Sequence, residues 1–247
     1  MASSANTVAA MLSFQELIYR LREHGADALA LALPISCAGC DLPDRNLCHE
    51  CRAALVADLQ YRELFDQATL QRIPLWYAME LAPPVSGVIH HFKEQGRTSV
   101  VKSLSRPLRE AMKASYVAST QHVLPQDITW VVPPSSRASF RQRGYSPIGL
   151  LAKATGVRPE KLLTVSRRRA DQSELGRMQR FSNMQGVYRA RDAAQGKKVI
   201  LIDDVLTTGA TLLECARALR AGGAEVLGAA VLAYTPKNFQ HTRRENA

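Results

Sequence analysis

The sequence has no long hydrophobic run. Its longest apolar stretch, ALALALPI at Ala28–Ile35, falls well short of the ~18–20 residues that a membrane-spanning helix requires, so no membrane insertion is expected. The first ten residues, MASSANTVAA, supply neither a basic leader nor an apolar core behind one. They read as a disordered tail rather than a secretory signal. Aromatic residues make up only 6% of the chain, which leaves few platforms for stacking nucleic-acid bases. Neither G-x-x-x-x-G-K-[ST] nor G-x-G-x-x-G occurs, which removes the Walker loop and the dinucleotide fingerprint as phosphate-binding devices. There is no internal repeat and no low-complexity linker.

What is present is a chain of 247 residues, long enough for a full-sized core in one or two domains. The net charge is +10, and it is not spread evenly. The window Pro133–Lys198 holds 15 Lys and Arg against 4 Asp and Glu, which leaves the remainder close to neutral. A concentration of that kind suits an anionic partner, either phosphate groups or nucleic acid, and equally a solvated basic face with no ligand. Four of the five cysteines are clustered, and the chain reads as cytoplasmic.

Ser13 and Glu16 form a capping box for an amphipathic helix carrying Leu17, Ile18 and Leu21, interrupted near Gly25 and ended by Pro34. Cys37–Cys51 is a loop-rich element, followed by an expected helix over roughly 52–71. PLWYAMEL reads as a strand, and SGVIHHFKEQGR opens one long helix running to about Ser119. From Thr129 strands and helices alternate: ITWVVP, PIGLLAKATG, KLLTV, then VILID, ATLLECARALRAGG and AEVLGAAVLAY. The Arg-rich segment between KLLTV and VILID has the length of a mobile loop. This alternation predicts an α/β domain with a largely parallel central sheet flanked by helices. The expected organisation is a tail and N-terminal helix over 1–33, a four-cysteine element with its following helix over 34–70, and the α/β domain over 71–247.

Cys37-x2-Cys40-x7-Cys48-x2-Cys51 is a pair of CxxC turns. Each turn aims two thiolates at one point, and two turns complete the closed tetrahedron of a structural Zn²⁺ site. The competing readings are incidental thiols, a redox dithiol using one pair, or His49 replacing a cysteine. Zinc would hold a segment with too few apolar residues for its own core. Cys215, among Leu212, Leu213 and Leu219, is expected to be a plain core thiol.

The stretch VILIDDVLTTGATL, Val199–Leu212, leads from a buried strand through two adjacent acids into a loop of small residues. At the carboxyl end of a parallel strand such a loop opens onto a ligand crevice, and the following helix presents free N–H groups to an anion. Thr207, Thr208, Gly209 and Thr211 suit a phosphate, the glycine by close backbone approach and the threonines as donors. Asp203 and Asp204 would repel that phosphate but accept hydrogen bonds from vicinal sugar hydroxyls. A ribose 5-phosphate compound satisfies both halves. The alternative is a helix N-cap with a solvated neighbour.

Val199–Leu212 resembles the phosphoribosyl pyrophosphate (PRPP) signature of the type I phosphoribosyltransferases. The four-cysteine element, VIHHFKEQGR, VVPPSSRASFRQRGYSPIGLLA and the Gln172, Arg180, Asn183 segment together resemble the ComF-type proteins of that superfamily, over about residues 34–235. Two departures are Pro134-Ser135 after Val132-Pro133 and Ser146-Pro147 after the Arg-Gly-aromatic. The resemblance implies a type I phosphoribosyltransferase fold and PRPP with substrate-borne Mg²⁺. It implies PRPP contacts along Val205, Leu206, Thr207, Thr208, Gly209, Ala210 and Thr211, with the 5-phosphate on Thr207–Thr211 and Asp203 and Asp204 as the catalytic pair. Lys93, Arg137, Arg141, Arg143 and Arg180 are further expected PRPP contacts, with Arg137, Arg141 and Arg143 toward the pyrophosphate and Arg167–Arg169, Arg177 and Arg180 on a loop that would close over it. Cys37, Cys40, Cys48 and Cys51 would hold zinc. It implies a phosphoribosyltransferase of unspecified acceptor, linked to DNA uptake or nucleotide metabolism. A protein that handles single-stranded DNA with competence partners, or that only senses PRPP, would carry the same residues. Oligomeric state leaves no mark in the sequence.

Overall fold

The computed structural model describes residues 35–66, 69–120, 124–135, 137–166 and 184–236. The expected N-terminal helix and the Arg-rich segment with Arg167–Arg169, Gln172, Arg177, Arg180 and Asn183 lie outside them.

Five strands form the central sheet: β1 (Gln60–Asp66), β2 (Gln71–Glu80), β3 (Ile128–Val131), β6 (Lys198–Leu206) and β7 (Glu225–Tyr234). Their order is β1-β2-β7-β6-β3. All neighbours are parallel except the β1–β2 hairpin at one edge. The sheet is therefore mostly parallel, as expected. β6 and β7 are near-continuous apolar runs because both sheet faces are covered.

One face is covered by α2 (Val85–Glu94), α3 (Val101–Ser119) and α5 (Pro147–Ala154). In α2 the buried residues Val85, Val88, Ile89 and Phe92 mark a single helical stripe. The other face takes α6 (Ala210–Ala221) and a two-stranded hairpin of β4 (Leu163–Val165) and β5 (Tyr188–Ala190). Buried Glu214 on α6 ties this hairpin down. Its carboxylate accepts the Tyr188 N–H at 3.1 Å and two bonds from Arg217, whose Nη2 also reaches the Tyr188 carbonyl at 3.2 Å. Cys215 is fully buried in the same core, as expected.

Three expectations are corrected. The helix over 52–71 is absent: α1 spans only His49–Ala53, and the chain then runs extended into β1. Its Leu, Glu and Gln favour a helix, but seven-residue pairing with β2 overrides that preference. The long helix to Ser119 is two helices, because Gly96 at φ 70° turns the chain between α2 and α3. The acids do not finish their strand. β6 continues to Leu206, with Asp203 opposite Val231 and Leu206 opposite Tyr234.

Among the described residues no helix is long and apolar enough to cross a membrane.

Candidate functional site

The parallel register of β3 with β6 brings their carboxyl ends to one edge of the sheet, where loops collect. Beyond β6, Thr207 is exposed and Thr208 half-buried, and Gly209 turns the chain into α6 at φ 80°. A Cβ at Gly209 would sit 2.9 Å from Leu64 Cδ2, so hairpin residue Leu64 lies directly against this turn. The Ala210 N–H donates to Thr208 Oγ1 at 3.3 Å, and Leu213 N–H to the Gly209 carbonyl at 2.9 Å. The first turn of α6 thus opens at the strand end with its dipole toward the loop. Val205 and Leu206 differ from the threonines: Leu206 is buried in one core and Val205 packs partly buried against the other.

Asp204 is buried, and Asp203 is half-buried with its carboxylate accepting the Asp204 N–H at 2.9 Å. Lys93, 111 positions earlier, reaches across from the end of α2 and donates to Asp204 Oδ1 at 3.0 Å. Burial by itself would depress the Lys93 ammonium. Asp204, then Asp203 and Glu94, outweigh that effect and hold its pKa above the ordinary lysine range.

α4 (Arg137–Arg143) follows β3 in the chain, and its Arg143 reaches the end of α2 that carries Lys93. Arg143 Nη2 donates to both carboxylate oxygens of Glu94 at 2.9 and 2.7 Å. The next aromatic, Tyr145, donates its hydroxyl to the Phe92 carbonyl, and burial pushes its phenol pKa up. Ser146 caps α5 by accepting the Gly149 N–H and shares a 2.9 Å bond with Ser135. The two departures from the family pattern therefore meet each other. Arg141 is exposed; Arg137 opens the helix, but its side chain is outside the described residues, as is all of Arg180. Sequence reasoning singled out the segments that hold Glu94 and Tyr145 but gave neither residue a role, because both act through contacts about 50 residues away.

The four cysteine sulfurs lie within 4.8 Å of one another. Zn–S bonds of about 2.3 Å in a tetrahedron place sulfurs about 3.8 Å apart, and Cys40 and Cys48 are at 3.7 Å. Backbone N–H groups of Gly39 and Cys48 point at Cys37 Sγ (3.4 and 3.3 Å), and that of Cys51 at Cys48 Sγ (3.4 Å). Burial raises the Cys37 thiol, yet these N–H bonds and that of Cys40 overcome it and lower its pKa to about 6. Thiolate-stabilising amides suit a metal ion such as zinc. His49 is exposed at the start of α1 and takes no part in the cluster.

Residues 141–244 match the family described as phosphoribosyl transferase domain. The DNA utilization protein YhgH of Salmonella typhi is 31% identical over 165 residues, covering 63% of this chain and 71% of the relative. The chain belongs to the ComF-type proteins of the phosphoribosyltransferase superfamily. The YhgH protein of Escherichia coli (strain K12) is 29% identical over 198 residues, 76% of this chain and 84% of that protein. Competence protein F of Haemophilus influenzae is 28% identical over 205 residues, 76% and 86% of the two chains. A solved adenine phosphoribosyltransferase from Rhodothermus marinus DSM 4252, 20% identical over 74% of this chain and 86% of that one, superposes with a TM-score of 0.28, too low to add to the assignment. In this ComF-type chain the end of α2 joins Lys93 to Asp204, and joins Glu94 to Arg143 of α4.

Proposed function

We propose that this protein binds PRPP with its Mg²⁺ and transfers the ribosyl 5-phosphate to a nitrogenous acceptor. The observation that carries this reading is the convergence of Lys93 on Asp204 beside the Thr207–Thr211 turn. The 5-phosphate would rest on the turn, where the α6 N–H groups and threonine hydroxyls donate. Asp203 and Asp204 would accept the ribose hydroxyls. A carboxylate offers about four lone-pair sites, so one bond to Lys93 leaves Asp204 room for a hydroxyl donor. As pyrophosphate leaves, positive charge develops on the sugar carbon, and fixed carboxylates close to it stabilise that charge. Arg137, Arg141, Arg143 and Arg180 would compensate the departing pyrophosphate. Mg²⁺ would arrive on the substrate, with most of its coordination from water and phosphate oxygens.

Zinc on Cys37, Cys40, Cys48 and Cys51 would be structural, since four thiolates close its coordination. We divide the chain into a segment over 1–33, a cysteine element that ends before β1 and not at 70 as the sequence suggests, and the catalytic domain from β1 onward, because β1 pairs with β2 in the central sheet.

Double substitution of Asp203 and Asp204 by Asn should weaken PRPP binding at least tenfold by calorimetry. Unchanged affinity would remove the ribose assignment. A pyrophosphate-release screen of PRPP against nitrogenous bases identifies the acceptor.

A second reading draws on the relatives' names, which concern DNA utilization and competence. α4 exposes Phe140 beside Arg141, the aromatic-plus-cation pairing that single strands use. No turnover with any base, together with salt-dependent shifts of single-stranded DNA, would favour this reading over the transferase.

A further inference from the structure

Three consecutive residues at the end of α2 each hold a different part of the site. The Phe92 carbonyl takes the Tyr145 hydroxyl, Lys93 pairs with Asp204, and Glu94 pairs with Arg143. Lys93 and Asp204 form a natural pair of opposite charges. Glu94 is the odd member, a carboxylate standing where the ligand brings further negative charge.

The Glu94–Arg143 pair is not saturated. Both Glu94 oxygens bond the same nitrogen, Nη2, instead of the parallel two-nitrogen fork that an arginine offers a carboxylate. Arg143 Nε is buried and has no hydrogen-bond partner among the described residues. The Glu94 side chain is 43% exposed and that of Arg143 22%, so the pair lies at the water boundary, where it can exchange cheaply. Building on the PRPP reading, we propose that Glu94 is an internal stand-in for the ligand's pyrophosphate. It holds Arg143 beside the acid pair until a polyphosphate displaces it, and it selects polyphosphates that carry a divalent cation. A metal-free polyphosphate reaches Arg143 only by facing the released Glu94 carboxylate as well as Asp203 and Asp204. A cation-complexed one brings charge that offsets this repulsion. Glu94 is thus a positioning and specificity residue, acting through Arg143.

The test uses inorganic pyrophosphate as probe, titrated into the full-length wild type and Glu94→Gln, with and without Mg²⁺. The wild type should bind the Mg²⁺ complex more tightly than free pyrophosphate. Glu94→Gln should gain roughly tenfold for free pyrophosphate and lose most of the Mg²⁺ preference, because one repulsive charge is gone. Equal or weaker binding of free pyrophosphate by a folded Glu94→Gln protein overturns the proposal. A second measurement needs no variant of Glu94. The Arg143 Nε–H resonance of the wild type, assigned against Arg143→Lys, should shift on pyrophosphate titration as the pair opens. A static resonance at saturation overturns the proposal even where Glu94→Gln does not fold. If the wild type binds neither PRPP nor pyrophosphate, the PRPP reading fails and this inference with it. If it binds both and Glu94→Gln behaves alike, only the role of Glu94 fails.

Discussion

Lys93 sits between two opposing effects, and the balance can be read in pH. Burial disfavours its charge, while the acids around it favour the charge more strongly and raise its pKa. A folded-state pKa above the unfolded value of about 10.4 means the stabilisation is complete below that value and disappears as pH climbs through the folded pKa. Chemical denaturation of the wild type should therefore show a loss of stability above roughly pH 10 that Lys93→Met lacks. At pH 7 the same substitution should cost about 1–3 kcal/mol, since it removes a hydrogen-bond partner of the buried Asp204. A pH-independent difference between the two proteins would count against the ion pair. Lys93 was readable beforehand through the Phe-Lys block, yet its partner was not. No spacing rule connects position 93 with position 204, because only the packing of α2 on the sheet brings them together.

Elements differ in how plainly their sequence announces them. β7 and α6 are strongly patterned and occupy nearly the expected spans, because burial on both faces leaves an apolar run and Gly222 and Gly223 stop the helix, whereas β6 begins as expected and runs on to Leu206. β1 is an edge strand whose residues are mostly exposed, so it carries no clear two-residue period, and its helix-forming composition misleads. The cysteine element is the opposite case, legible from spacing alone. Purified protein should contain about one zinc per chain by metal analysis. Cys48→Ser should lose it and drop the thermal midpoint sharply, since metal-binding energy in such small elements is folding energy. A wild type free of zinc would rule the metal out.

At the scale of the whole molecule, the cysteine element is docked, not tethered. Cys37, Cys48, Cys51, Leu47 and Leu55 share one hydrophobic core with Phe92, Leu104 and Leu151. Arg97 donates to the Ser36 carbonyl, and Ser99 reaches Asn46 at 2.8 Å. The contact closes on two glycines: a Cβ on Gly87 would lie 2.8 Å from the Gly39 carbonyl oxygen, and one on Gly39 would lie 2.6 Å from Cys51 Sγ. Gly87→Ala should therefore lower stability by about 1–3 kcal/mol while zinc content stays unchanged, measured by thermal unfolding beside metal analysis. Loss of zinc in that variant would show that the element cannot hold its metal undocked. The same α2 thus carries the cysteine element on one stretch and Lys93 with Glu94 on the next. By itself the sequence determined the α/β alternation, the four-thiolate spacing and the acid–threonine loop, because each is written within a dozen or so neighbouring residues. Only the tertiary structure decided that Lys93 meets Asp204, that Glu94 holds Arg143 and that the hairpin Leu64 lies against Gly209. Those contacts join residues far apart in the chain, and the packing of helices and strands on a shared sheet, not any local pattern, sets which of them meet.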